Sequence, residues 1–328
     1  MANFEKRQGR AGRQKPGHGG APRHGGDADG RPHQRPLGKK PVKKPGPAGQ
    51  SPRQGPPGHP RPASKDQRPA RRPPAPGRQV EPGLERVFGK HPVEAVLLKR
   101  PKAVRRLVIA GRESYYEAII KDARERNVAV ETLPWEEFLA LGQFDESEKH
   151  QGILALTTPL VIFGDHDLER LGEASCVLAL DQVSNPQNLA AILRSASFFH
   201  ADAVILMKHR AAEMTAEVQR LAVGGAEFVD LYRITNLANT IDQLKSMDFR
   251  VFGLDERGER TLAQTEFPKK TVLVIGAEGE GLRQKTRDRC DELVRIPGGR
   301  KAVESLNASV ATTIGLYEIF RLRDRAPE

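Results

Sequence analysis

From Ala174 towards the end of the chain, short apolar runs alternate with amphipathic segments of helical period, and this alternation constrains the fold more than any other feature. The runs 176–180, 203–207, 250–254 and 271–275 have the length and continuous apolar character of strands buried on both faces. Helices are predicted between them, so the pattern predicts an α/β fold with a parallel sheet covered on both faces. Ligands of such sheets bind beyond the carboxyl ends of the strands, and a site is therefore expected there.

A smaller α/β pattern over residues 84–158 predicts a compact unit that precedes this sheet. Prolines, glycines and aspartates interrupt any period over residues 159–173, and this stretch is predicted to be a linker. The larger domain is then expected to span residues 174–328.

Residues 1–83 differ in composition from the rest of the chain. They hold 19 Lys and Arg against 5 Asp and Glu, a net charge of +14, while their single aromatic residue is Phe4. Such a segment cannot bury enough apolar surface to offset its ordering entropy, so a disordered basic arm is predicted. Two interpretations remain open: a solubilising tail, or an electrostatic tether that binds a polyanion without sequence preference.

The remaining composition excludes several classes of protein. The two cysteines, Cys176 and Cys290, are too few and too far apart in sequence for a disulfide scaffold or a cysteine metal cluster, and buried reduced thiols are expected. The N-terminus lacks an apolar signal segment, and no apolar run is long enough to span a membrane. A cytoplasmic protein without a membrane anchor is therefore expected.

The first unusual segment runs from Leu180 to Ala196 and predicts a strand, a tight turn and a helix. Asn185 is suited to cap the helix and Pro186 to its first position. Asn188 and Arg194 fall outside the apolar stripe of this helix. They are either a helix cap and a surface arginine, or groups that bind a phosphate or a hydroxyl at the edge of the sheet.

The second unusual segment is a glycine-rich loop, residues 276–281, directly after a predicted strand. Its glycine spacing differs from the dinucleotide fingerprint, and no Lys-Ser or Lys-Thr pair follows as in a P-loop. Glu278 and Glu280 would repel a pyrophosphate, so the loop favours a neutral or cationic ligand.

The third segment follows Ile296 and Pro297 with a glycine-rich basic loop that leads to Ser305 and Asn307 at the start of a helix. Taken alone, these two residues are candidates for the helix N-cap.

The three segments, in this order, resemble the motifs of the SpoU (TrmH-like) branch of the SPOUT RNA methyltransferases. The resemblance covers residues 174–323 and rests on Asn188 with Arg194, on Gly276-x-Glu278-Gly279, and on Ser305-Leu306-Asn307. Residues 84–158 resemble the ribosomal-protein-like substrate-binding domain that precedes the catalytic domain in several rRNA 2′-O-methyltransferases.

The resemblance implies a deep trefoil knot, S-adenosyl-L-methionine as cofactor, and methyl transfer to a ribose 2′-OH of rRNA or tRNA, with rRNA favoured. It further implies a homodimer whose RNA site draws on both subunits, and chemistry without a metal. The implied catalytic residues are Arg194, Asn188, Glu278, Ser305 and Asn307. The implied cofactor-binding residues are Gly276, Gly279, Ile296, Pro297 and Leu306.

Three departures from the family pattern stand out. Asn185 replaces the usual Asp, Ala190 replaces the usual Gly, and the loop over residues 298–302 is altered and one residue longer before Ser305. The alternative to an enzyme is a non-catalytic RNA-binding or ribosome-assembly protein that retains the fold.

His150 in the first domain is expected to have a structural role or to contact RNA, since no second His or Cys lies at metal-ligand spacing.

Overall fold

The computed structural model of the chain describes residues 80–111, 113–145, 148–299 and 305–324. The arm predicted over residues 1–83 lies outside the described residues except for positions 80–83. These lead into the first strand through a turn in which the Leu84 amide donates to the Glu81 carbonyl at 3.1 Å.

The described residues form two sheets and eight α-helices. The strands are β1 (Glu85–Phe88), β2 (Val104–Ala110), β3 (Ala129–Leu133), β4 (Ile153–Thr157), β5 (Ile162–Phe163), β6 (Cys176–Asp181), β7 (Ala203–Met207), β8 (Asp230–Ile234), β9 (Arg250–Leu254), β10 (Arg260–Thr261), β11 (Thr271–Gly276) and β12 (Glu292–Arg295). The helices are α1 (Lys90–Lys99), α2 (Glu117–Glu125), α3 (Trp135–Gly142), α4 (Pro186–Phe198), α5 (Ala216–Leu221), α6 (Leu237–Ser246), α7 (Gln284–Arg287) and α8 (Ala308–Asp324).

The first sheet has the order β1-β4-β2-β3, in which β2 and β3 are parallel and β4 runs antiparallel to both of its neighbours. Successive residues of β2 point to opposite faces. Leu107 and Ile109 pack with the apolar sides of α1 and α2, whereas Val108 packs with Phe138 and Leu141 of α3. The small unit therefore has helices on both faces of its sheet.

The second sheet has the order β10-β12-β9-β11-β6-β7-β8-β5, and its strand pairs are parallel. Buried residues of α4, α5 and α8 pack on one face, and those of α6 pack on the other. The predicted parallel sheet covered on both faces is confirmed. The trefoil knot stays a prediction.

Three local expectations differ from the structure. The segment expected as a linker contributes the edge strand β5, which pairs with β8, and a 3-10 helix over Asp165–Glu173. The sequence over residues 227–231 predicts a short strand, but β8 begins later, because Gly225–Glu227 form a 3-10 turn. The sequence also predicts a helix over residues 281–289, which in the structure is reduced to α7, since Gly281 has a φ of 67° and Arg283 is bound to Asp181 of β6.

In the described part of the chain, no helix has both the length and the apolar character that a membrane span requires. Both cysteines are free. Burial raises the pKa of Cys176 to about 11 and that of Cys290 to about 12, so both thiols are protonated at neutral pH.

Candidate active site

A cavity of about 810 Å³ opens at the carboxyl ends of β9, β11 and β12, at the edge of the sheet where the sequence predicts a site. Its volume is in the range of cofactor pockets. The lining residues are Leu254, Asp255, Glu256, Arg257, Ile275, Gly276, Ala277, Glu278, Gly279, Glu280, Gly281, Arg295, Ile296, Pro297, Gly298, Gly299, Ser305, Leu306, Ala308 and Ala311.

The glycine-rich loop after β11 has a fixed shape. The Ala277 amide donates to the Gly281 carbonyl at 3.1 Å, and the Gly281 amide donates back to the Ala277 carbonyl at 2.9 Å. A side chain at Gly276 would overlap with Gly281, and Gly281 itself has a positive φ. These hydrogen bonds and the glycine conformations therefore give one wall of the cavity a fixed backbone shape.

The charge lining the cavity is mainly negative. Glu278, Glu280, Glu256 and Asp255 contribute carboxylates, and Arg257 lies 3.6 Å from the Asp255 carboxylate. Arg295 is the other cationic group among the lining residues that the structure describes. A pyrophosphate would meet this acidic wall unfavourably, whereas a cationic ligand would be stabilised by it.

A chain of side-chain hydrogen bonds joins the three predicted motifs at the border of the cavity. The Asn188 amide donates to the Glu278 carboxylate at 3.1 Å and accepts from the Asn307 amide at 3.0 Å. Asn307 also caps α8, because its side-chain oxygen accepts from the Ser309 amide at 2.9 Å. Asn188 is only 7 % exposed, so both of its partners are needed to satisfy it.

An ion pair with a buried carboxylate anchors the glycine-rich loop beneath this chain. Asp181, at the end of β6, is fully buried, and its carboxylate accepts from the Arg283 side chain at 2.6 Å and from the Arg283 amide at 3.1 Å. Removing the Arg283 side chain would leave the Asp181 charge buried without its cationic partner, which is strongly destabilising. The pair ties the residues after the loop to the strand that leads into α4.

Arg194 stands apart from the cavity. It lies on an exposed stripe of α4 with Ala191 and Phe198, and it makes no hydrogen bond or ion pair with any residue in the described ranges. Asn185 caps this helix as expected: its side chain accepts from the Gln187 amide at 2.8 Å.

The structure thus places the predicted site residues in three groups. Seven of them, Gly276, Glu278, Gly279, Ile296, Pro297, Ser305 and Leu306, line the cavity. Asn188 and Asn307 border it, and Arg194 does neither. The altered loop is described only at Gly298 and Gly299, which line the cavity, and its remainder over 300–304 lies outside the described residues.

Sequence reasoning missed the polar residues that follow β9. Asp255, Glu256 and Arg257 line the cavity, although they belong to none of the three motifs. The strand over 250–254 was predicted, so the rule that ligands bind at carboxyl strand ends could have found them. Among the described residues, no group of three or more His, Cys, Asp or Glu side chains is placed to hold a metal ion.

Two family models match the chain. The SpoU rRNA methylase family matches residues 175–317, and the family described as RNA 2′-O ribose methyltransferase substrate binding matches residues 86–161.

Curated relatives and a solved structure are similar over both matched regions. The 23S rRNA (guanosine-2′-O-)-methyltransferase RlmB of Pseudomonas aeruginosa is 38% identical over 250 residues, covering 73% of this chain and 97% of the relative. The Escherichia coli K12 protein of the same name is 37% identical over 243 residues, covering 73% and 99%. The SpoU methyltransferase AviRb of Streptomyces viridochromogenes, in complex with AdoMet, has a TM-score of 0.60 at 27% identity and covers 75% of this chain and 92% of its own.

Proposed function

Because this chain belongs to the SpoU family of RNA methyltransferases, which use S-adenosylmethionine to methylate a ribose 2′-OH, we propose a role for each predicted site residue. The cavity holds the methyl donor against the backbone of Gly276, Gly279, Ile296, Pro297 and Leu306. The acidic lining supports this assignment, since the donor carries a sulfonium cation.

The reaction sets two requirements on the chain's own residues. The bond between the methyl carbon and sulfur breaks as the bond to the ribose oxygen forms, the donor leaves as a neutral thioether, and the hydroxyl proton must be removed. A ribose hydroxyl is a poor nucleophile until that happens, so a base and an exact orientation are both needed. We assign proton removal to Arg194, acting with an RNA phosphate. Its exposure and its lack of a partner among the described residues leave its guanidinium available to that phosphate.

The hydrogen-bonded chain Glu278–Asn188–Asn307 is the single observation that carries this proposal. It connects residues from three motifs at the cavity border, and it fixes the direction in which each amide donates. We assign orientation of the ribose and of the methyl donor to these residues and to Ser305.

We infer that a second copy of the chain completes the site. Phe198 of α4 and Val310 and Tyr317 of α8 are large apolar residues exposed by 73, 47 and 50 %. The two helices are joined by a hydrogen bond of 2.7 Å between the Ser195 and Thr313 hydroxyls, so these residues lie on neighbouring surfaces. An isologous contact through this face would bury them and would bring Arg194 of one subunit towards the cavity of the other.

The RNA target is proposed from the relatives. RlmB of P. aeruginosa is named for a guanosine of 23S rRNA, and we propose the same class of target for this chain. In this proposal residues 84–158 bind the RNA, 159–173 connect, 174–328 catalyse, and the basic arm 1–83 tethers the RNA non-specifically. The reaction would then take place in the cytoplasm.

The test is to incubate the full chain and S-adenosylmethionine with 23S rRNA and, separately, with total tRNA, and to map 2′-O-methyl groups in both. We expect one methylated guanosine in 23S rRNA and none in tRNA. Methylation confined to tRNA, or located on a base nitrogen, would overturn the proposed target.

A heterodimer experiment tests the shared site. Arg194→Ala chains, which are nearly inactive alone, are mixed after dissociation with Glu278→Gln chains, at a concentration of S-adenosylmethionine that the Glu278→Gln chains bind too weakly for appreciable activity alone. If Arg194 acts on the partner's cavity, the mixed dimer holds one intact site and recovers activity. Recovery would be absent if each chain supplies its own arginine.

A further inference from the structure

A short strained turn lies beside the helix that carries Arg194. Val223 has a φ of 55° and Gly224 a φ of 81°, so two successive residues adopt the left-handed conformation. This conformation is a true outlier for a β-branched residue such as Val223, and it persists only where the surroundings enforce it. The contacts on both sides of the turn show what enforces it.

On one side, the turn touches the backbone of Arg194. A Cβ added at Gly225 would lie 2.9 Å from the Arg194 Cα and 2.9 Å from the Leu193 carbonyl oxygen. Gly225 does not have a positive φ, so an alanine could adopt its backbone conformation. Glycine is therefore required at position 225 because a Cβ has no room there, and not because of the backbone conformation.

On the other side, the same turn touches the first sheet's helix α1. A Cβ at Gly224 would overlap with Ala95 and would lie 3.2 Å from the His91 carbonyl oxygen. Three residues further on, the Glu227 carboxylate accepts from Arg100 at 2.6 and 2.9 Å. The Glu227 side chain is only 3 % exposed, so this bidentate pair is largely shielded from water.

We propose that the turn over residues 223–228 positions Arg194 relative to the RNA-binding region, with Gly225 as the positioning residue and Glu227 as its anchor on Arg100. The backbone of Arg194 cannot move towards α1 without displacing the turn, and the turn cannot move without breaking the pair with Arg100. RNA held by the first sheet and the guanidinium that acts on it are thereby kept at a fixed separation. This inference rests on the role proposed above for Arg194.

The test is Gly225→Ala in the full chain, measured by steady-state methyl transfer to RNA. The added methyl group must push the Arg194 backbone by some tenths of an ångström, and displacements of this kind in catalytic groups lower rates by about tenfold or more. We expect kcat to fall by that factor, while the KM for RNA and the dissociation constant of S-adenosylmethionine stay within about twofold.

A double variant separates positioning from general damage. If Gly225 acts through Arg194, then Gly225→Ala added to Arg194→Lys lowers the residual rate much less than it lowers that of the native chain. Two glycine variants serve as controls. Gly172→Ala meets no atom within 4 Å, and we expect native kinetics. Gly258→Ala would place a Cβ 2.7 Å from the Val294 carbonyl carbon beside the cavity, and we expect weaker cofactor binding instead.

A second variant keeps the inference testable if Gly225→Ala does not fold. Glu227→Gln breaks the bidentate pair, and we expect a several-fold lower kcat with unchanged cofactor affinity. Glu217→Gln, which breaks the more exposed pair with Arg220, should leave kcat unchanged. Native kcat in both Gly225→Ala and Glu227→Gln would overturn the inference, whereas native activity in Arg194→Ala would instead overturn the role of Arg194 itself.

Discussion

The two sides of the active site are built in different ways. The cavity side is built from described residues of one chain: a glycine loop closed by two backbone hydrogen bonds, an acidic lining, and beneath it an ion pair whose carboxylate is buried. The side that carries Arg194 is open, with an exposed guanidinium on a helix whose outer face is partly apolar. Cofactor binding should therefore need only the folded chain, whereas methyl transfer should need RNA and a second subunit as well.

The largest expected effect comes from Arg194→Ala. Because this exposed side chain makes no hydrogen bond or ion pair with a described residue, its removal should leave the thermal stability and the affinity for S-adenosylmethionine unchanged. Loss of the group that we propose assists proton removal should lower the single-turnover rate by about 10²- to 10⁴-fold. Thermal melting, calorimetry with the cofactor and a methyl-transfer assay measure the three quantities on the same preparation.

The matched control is Arg210→Ala, which removes another exposed arginine from the loop that follows β7. It should change the rate much less, since it tests only the loss of surface charge. A similar fall in both variants would show that the effect of Arg194 is electrostatic attraction of RNA and not catalysis.

The second prediction tests the proposed dimer contact through the exposed apolar face of α4 and α8. Tyr317→Asp puts a charge where a second copy is proposed to pack, and we expect the dimer dissociation constant to rise roughly 30-fold, the equivalent of about 2 kcal/mol. Light scattering measures the mass, and calorimetry measures cofactor binding, which should persist. A monomer that methylates RNA at the native rate would contradict the shared site.

The third prediction concerns the cavity side. Glu278→Gln weakens a charge-assisted hydrogen bond to the buried Asn188 and removes one negative charge from the cavity. We expect the dissociation constant of S-adenosylmethionine to rise about tenfold, the equivalent of roughly 1.4 kcal/mol.

Glu280→Gln is the comparison that sharpens this result, because Glu280 also lines the cavity but makes no side-chain hydrogen bond to a described residue. It should raise the constant by less. Equal effects in the two variants would mean that charge alone matters and that the hydrogen-bonded chain does not.

The same division separates what the sequence could predict from what it could not. Strands such as β11 and the cap at Asn185 follow from apolar runs and local turn chemistry, and both were predicted. The glycine loop was placed correctly at a strand end, but α7 was predicted too long because its limit depends on the Asp181–Arg283 pair. These two residues lie 102 positions apart, and no local pattern predicts that contact.

Asn188 shows the same limit at the level of a single residue. Its position outside the apolar stripe predicted a residue away from the core, yet it is buried because Glu278 and Asn307 enclose its amide. The resemblance to a family grouped these residues, but the direction of each hydrogen bond required the structure. The position of Arg194 away from the cavity could not be predicted from its motif, because the motif does not specify where the fold places this side chain relative to the cavity.

The smallest expected effect is a pH dependence of stability that arises in the first sheet's unit, at His150. Its ring packs 4.5 Å from that of Phe144, and its Nδ1 accepts from the Gly152 amide at 3.0 Å. Burial lowers the pKa of His150 below its usual value of 6.5, while the charge of Glu148 opposes this shift. Below that pH the unfolded chain binds the proton more readily than the folded chain, so stability falls as the pH falls.

His150→Gln removes the titrating group and isolates this contribution. At pH 7 we expect the melting temperature of the variant to be lower than that of the native chain. At pH 5 we expect this difference to be smaller, because protonation of the partly buried His150 ring destabilises the native chain and the variant has no such ring. Cofactor affinity should respond equally to pH in both proteins, since His150 is not among the residues that line the cavity. A deficit of the same size at both pH values would show that His150 contributes only packing.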